Sequence, residues 1–285
     1  MIKFKLEEGW STGLFLLGAI LAAGWVVAAA GWTDGLEVVP RAGAGGVIAG
    51  LFLGWSVFRG RTSHLFSTIY GLSWVGYLVG KELPGELTWG ERIAEMVTRL
   101  AYWIFQAVTG GTSNDTLIFV IVFCALFWVL GYGAAWNTYR RMRVWHAIIP
   151  PGIVAFLNVY YYFGPVPLVR YLALYLFFAL LYVTRSHAFE QERKWRREGV
   201  AYDPIFRFDF LRAGLILSIV VLALAWAVPT ATSVPYLTDA WHRLSDPWRT
   251  VQEEWKRLFS NLRGSAVAGA VEPFGSSICL LYTSP

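Results

Sequence analysis

Charge is scarce in this chain: Asp, Glu, Lys and Arg make up 15% of its 285 residues, against roughly 25% in an ordinary soluble domain. With 56% apolar and 17% aromatic residues, that deficit excludes a soluble globular body and points to a bilayer as solvent. Cysteine is scarcer still. Two residues, Cys124 and Cys279, are too few for a disulfide framework, and Cys124 lies inside an apolar run, where a small buried hydrophobe is the plain reading. No His/Cys metal spacing, phosphate loop or nucleophile elbow occurs in the sequence. No catalytic, cofactor-binding or metal-ligating residue is therefore assigned, and no cofactor is expected. The net charge of +5 carries no nucleic-acid reading, because a membrane sorts basic residues to one of its sides.

What is present is a series of apolar runs long enough to cross a hydrocarbon core of roughly 30 Å. Seven are read, at 11–32, 41–58, 65–80, 116–135, 146–163, 168–183 and 208–228. Residues 1–228 are therefore expected to form an all-α polytopic membrane bundle of about seven helices, with interfacial amphipathic helices beside it. Lys3 and Lys5 before the first run resemble a signal peptide, but the run outlasts a secretory h-region of about 7–15 residues and reads as an uncleaved span. The second run carries Gly43, Gly45, Gly46, Gly50 and Gly54, a pattern that predicts close backbone packing.

Between the third and fourth runs, Glu86 to Val108 places Leu87, Ile93, Met96, Val97, Leu100, Trp103 and Ile104 on one helical face. Glu91, Arg92, Glu95 and Arg99 take the other, which predicts a helix lying in the interface. Pro150-Pro151 inside the fifth run predicts a kink whose freed carbonyls neighbouring helices must satisfy. The helix of the sixth run is expected to continue to Glu198, with Glu190–Lys194 and Glu192–Arg196 as i, i+4 pairs and Gly199 as its stop.

Alternate loops carry 14 basic residues on one side and 5 on the other, which predicts the N-terminus inside and the C-terminus outside a bacterial cytoplasmic membrane. The interiors of the runs hold no ionisable residue of the kind that marks ion paths; Asp209 and Arg212 stand in the first turn of the last. That last run also lacks the Lys a retinal protein needs. His64 and His146 fall at basic run ends, as solvated or headgroup-facing imidazoles. Asn158 with Tyr160, Tyr161 and Tyr162 lines a polar cavity or makes interhelical hydrogen bonds, and the sequence leaves both open.

Residues 229–277 read as an extracytoplasmic lead-in. Within it Asp246 to Leu262 forms an amphipathic helix whose aromatic face, with Trp248, Trp255 and Phe259, needs a partner, the membrane surface or a folded domain further on; Glu253 and Glu254 oppose an anionic surface, so docking on that domain or on the 86–108 helix is expected rather than on lipid alone. The last residues, Cys279 to Pro285, match the translation of a transposase-end adapter, so 278–285 is read as foreign and the parent protein is expected to continue.

Particular residues carry a resemblance. Trp136 with Arg140-Arg141, Pro150-Pro151-Gly152 and Asn158-Val159-Tyr160 is one group; Arg185-Ser186-His187 and Glu192-Arg193-Lys194-Trp195-Arg196-Arg197 is a second. Ala225-Trp226-Ala227-Val228-Pro229, Trp241, Asp246-Pro247-Trp248, Trp255 and Leu258-Phe259 complete it. Together they resemble bacterial membrane-anchored transglutaminase-like proteins of the TgpA type, over roughly residues 136–274. The resemblance implies a membrane anchor for an extracytoplasmic Cys-His-Asp enzyme, a protein-glutamine gamma-glutamyltransferase or related peptidase or amidase. Its catalytic core would begin past Gly264, so this chain itself should be inert. The alternative is a multi-span transporter or a protein acting on a lipid-linked substrate, which rests on Pro150-Pro151 and Asn158. The expected partners are the lipid bilayer and the chain's own downstream domain.

Overall fold

The computed structural model describes residues 10–109, 115–198 and 206–227. All regular structure among them is helical: α1 (Trp10–Ala30), α2 (Val39–Trp55), α3 (Gly60–Gly80), α4 (Trp89–Thr109), α5 (Thr116–Trp136), α6 (Val144–Tyr160), α7 (Val169–Glu198) and α8 (Phe206–Ala227). A 3-10 turn, Leu36–Val38, leads into α2, and a π turn, Asn137–Arg141, extends α5. The expected helix from Asp246 to Leu262 lies outside the described residues, as does the Gly199 stop.

Among the described residues four segments are long and apolar enough to cross a membrane: Trp10–Ala30, Leu36–Trp55, Thr116–Arg141 and Val169–Trp195. That is the character of a multi-pass membrane protein. The other three expected spans are helices of a different grade. α6 has 17 residues and α8 is apolar over Phe210–Val220, while α3 is diluted by Arg61, Thr62, Ser63, His64, Ser67, Thr68 and Ser73.

The core is built on α2 against α5, with α1 and then α7 layered beside them. Glycine allows this closeness. Gly43, Gly46 and Gly50 recur at three- and four-residue spacing, so they form one stripe on α2. A Cβ on Gly46 would stand 2.9 Å from the Tyr132 amide nitrogen, and one on Gly50 would stand 2.8 Å from the Tyr132 carbonyl oxygen. From the other side, a Cβ on Gly131 would land on the Gly43 carbonyl. The two backbones touch because neither carries a side chain there, the small-residue packing that the sequence predicts for the second run.

α4 starts with Thr88 and Glu91 satisfying each other's ends. The Thr88 amide donates to Glu91 Oε2 at 2.8 Å, and the Glu91 amide donates to Thr88 Oγ1 at 3.4 Å, a capping box. Hydrogen bonds from the Thr88 amide and then the Thr88 hydroxyl hold the Glu91 carboxyl below its ordinary range, so the contribution of the cap is complete above that range and is lost as pH falls through the lowered pKa. Arg92 then donates to the carbonyls of Gly80 (2.8 Å), Pro84 (3.0 Å) and Leu87 (3.0 Å), which closes the end of α3 onto α4. Arg99 pairs with Glu95 at 2.7 Å and reaches Asp115 at 3.4 Å; the Glu95 hydrogen bond, foremost, raises its pKa. Asp115 in turn caps α5, accepting from the Leu117 amide at 3.0 Å.

The single apolar face predicted for this helix is split. Met96, Leu100 and Trp103 pack on the bundle core, whereas Ile93, Val97 and Ile104 are exposed, together with Phe105 and Val108. α4 thus rests one edge on protein and leaves an adjacent apolar edge bare.

Candidate functional site

Where α5 widens into its π turn, side chains reach back to the carbonyls four residues earlier. Asn137 Nδ2 donates to the Gly133 carbonyl and Thr138 Oγ1 to the Ala134 carbonyl, both at 2.8 Å. Thr138 has thereby used its one proton, so Tyr182 on α7 must donate in the 2.6 Å contact between the two hydroxyls. Both groups are buried, Tyr182 at 0% exposure. Met142 ends the turn in the left-handed region, φ 54°, a conformation that costs a residue with a Cβ about 1–2 kcal/mol.

Above this pair opens a cavity of about 700 Å³ between α1, the π turn, α6 and α7, lined by Thr12, Thr138, Met142, Tyr182, Ser186, His187, Glu190, Arg193, Lys194 and Glu198 among others. Its wall mixes two carboxylates with two cations, so it presents no field of one sign. Ser186 and His187 are consecutive on α7 and point roughly 100° apart, which denies them a nucleophile–base relation. Beside the cavity Arg185 donates through Nε to Ser11 Oγ at 3.0 Å, which pins α7 to the start of α1. Glu192, expected as one half of an i, i+4 pair, is buried at 2% exposure. Its pairing with Arg196 falls on a side chain outside the described residues. α7 does run unbroken to Glu198; 30 residues rise about 45 Å, well past a core of roughly 30 Å.

Several of the residues singled out by the sequence prove to be joints. Pro150 and Pro151 stay inside α6, and the neighbouring helix answers the disturbance: Tyr175 of α7 donates its hydroxyl to the Ile148 carbonyl. Gly152 makes room for it, since a Cβ there would stand 2.9 Å from that hydroxyl. Asn158 accepts from Trp32 Nε1 at 3.4 Å, and Trp32 meets Tyr162 edge-to-face at 6.1 Å, which binds α6 to the α1–α2 connection. Tyr162 also accepts from the Val166 amide at 3.3 Å. His64 is exposed but lies 2.9 Å through Nδ1 from the Tyr132 hydroxyl. Its ring centroid is 4.9 Å from that of Trp136. His146 is exposed and Cys124 fully buried.

Arg140, which the sequence marks only as a basic loop residue, is a joint that periodicity does not reveal. It donates to the carbonyls of Ser56 (2.9 Å) and Phe58 (3.1 Å) and more weakly to Gly54 (3.5 Å), and its guanidinium lies 5.6 Å from the Trp136 ring. Among the described residues no group of three or more His, Cys, Asp or Glu could hold a metal ion. The arrangement thus defines an all-helical, membrane-type bundle whose polar side chains lock helices to one another. No family model, curated protein or solved structure matches the chain.

Proposed function

We propose that this chain is the membrane-anchoring domain of an extracytoplasmic transglutaminase-like cysteine enzyme of the TgpA type, held in a bacterial cytoplasmic membrane by about seven spans. One observation supports this reading above others. The residues that carry the resemblance, Trp136, Arg140, Gly152 and Asn158, are engaged in helix-to-helix and helix-to-loop contacts, as a scaffold requires and a reaction centre does not. The 14 to 5 basic asymmetry supports the orientation, N-terminus inside and C-terminus outside. α3 and α8, at 21 and 22 residues, rise over 30 Å and have the length for two of the additional spans, and α6 is close behind.

Two measurements test it. Reading the source gene onward from codon 264 is expected to reveal a Cys, His and Asp core followed by a further span; a stop codon within a few tens of codons removes the enzyme from the proposal. Reporter fusions address the orientation. Fusions at Arg143 and Arg197 should behave as cytoplasmic and fusions at Gly110 and Gly264 as extracytoplasmic, and an extracytoplasmic signal at Arg197 inverts the assigned topology.

A further inference from the structure

A groove of about 650 Å³ runs between α2 and α3, walled by Ala49 and Phe52 on one side and by Tyr70, Ser73 and Trp74 on the other, with Trp128 of α5 beneath. Phe52, Tyr70 and Trp74 are exposed, so an apolar surface is left open along the flank of the bundle. It extends from Gly45 to Ser56 on α2. Eleven residues of helix rise about 16 Å, which is half of a roughly 30 Å hydrocarbon core and so the depth of one leaflet.

Ser56 and Phe58 line one end of the groove, next to a basic stretch of the chain. Beyond Ser56 the chain turns through Val57 and Phe58 to Arg59 and Arg61, both exposed, and Arg140 is fixed to the carbonyls of Ser56 and Phe58 beside them. At the same place α3 begins with Arg59 as its N-cap, without a side-chain cap. The first-turn amides there lack a side-chain acceptor and favour a negative group. A hydrophobic channel one leaflet deep, whose end at Ser56 and Phe58 is followed at once in the chain by Arg59, Arg61 and a helix N-terminus and is held by Arg140, is complementary to one kind of molecule.

We propose that this groove binds an anionic phospholipid, with one acyl chain along Ala49, Phe52, Tyr70 and Trp74 and the phosphate at Arg59 and Arg61. The proposal requires only that the chain lie in a bilayer, and does not depend on any domain further along the parent protein. Basic pockets between spans select anionic headgroups, each Arg contributing about 1 kcal/mol near such a surface, or about fivefold in affinity.

The test is native mass spectrometry of the whole chain, purified in mild detergent and offered phosphatidylglycerol and phosphatidylcholine of identical acyl chains. The anionic lipid should be retained about tenfold or more over the zwitterionic one. Arg59→Gln with Arg61→Gln should bring that ratio close to one while the melting temperature holds, because both side chains are exposed. Ser73→Phe, which fills the groove, should lower retention of both lipids. Equal retention by the unaltered chain overturns the proposal, as does a ratio untouched in the double variant. A lipid-free dimer would also overturn it, since a second copy would then be the occupant.

Discussion

Gly131→Leu is expected to abolish the folded bundle, because the new side chain has no direction in which to go. A Cβ at this position falls on the carbonyl oxygen of Gly43 and stands 3.0 Å from the Val47 amide nitrogen, so the obstacle is backbone and cannot rotate aside. Overpacking a well-filled core costs about 1–3 kcal/mol when side chains can yield. Here α2 and α5 must separate, and the loss should be about 3 kcal/mol or more, comparable with much of a domain's net stability. Gly46→Leu meets the same wall from the α2 side. The contrast is Gly76→Ala on α3, where a Cβ meets nothing within 4 Å; relieved of glycine's conformational entropy, that helix should gain about 0.5–1 kcal/mol. Size-exclusion profiles and thermal unfolding in detergent separate the outcomes. A Gly131→Leu protein that is monodisperse and melts within a few degrees of the parent would show that the α2–α5 contact does not hold the bundle together.

Why the glycine stripe is legible from sequence while Arg140 is not comes down to where each partner lies. A repeat at i, i+3 and i+7 declares a bare helical face, and a bare face inside lipid has little use except to meet another helix. The same local logic gives α4 its amphipathic character and α7 its run to Glu198. Arg140 makes its bonds to residues more than 80 positions earlier, so no periodicity announces them. Tyr175 acts across 27 positions on the Ile148 carbonyl. The proline pair predicts that some neighbour must supply a donor, but only the packing of α7 on α6 says which. Glu192 is placed by its spacing from Arg196 as one half of an i, i+4 pair, and the fold adds what spacing does not announce, its burial. The candidate site is the least legible part, because the Thr138–Tyr182 contact depends on a π turn, and a single extra residue in a helical repeat leaves no compositional mark.

Arg140→Ala should then loosen the α2–α3 connection specifically. The C-terminus of α2 has no glycine cap: Ser56 continues in an extended conformation, φ −66° and ψ 156°, with its own amide and hydroxyl both turned onto the Leu53 carbonyl. The carbonyls of Gly54, Ser56 and Phe58 are left to the guanidinium. A hydrogen bond to a charged group contributes about 1.5–3 kcal/mol. The exposure of Arg140 and the length of the Gly54 contact place the combined effect at the lower end, near ~2 kcal/mol. Arg140→Lys should recover less than half of it, since an ammonium is a point donor that cannot bridge Ser56 and Phe58 as a planar fork does. Thermal unfolding gives the magnitude, and limited proteolysis gives the place: cleavage between Ser56 and Arg59 should rise in Arg140→Ala while the 81–88 connection, closed by Arg92, keeps its parent rate. Full recovery by Lys would reduce the role of Arg140 to charge alone. An unchanged melting temperature with an equally protected link would mean that α2 ends stably without it.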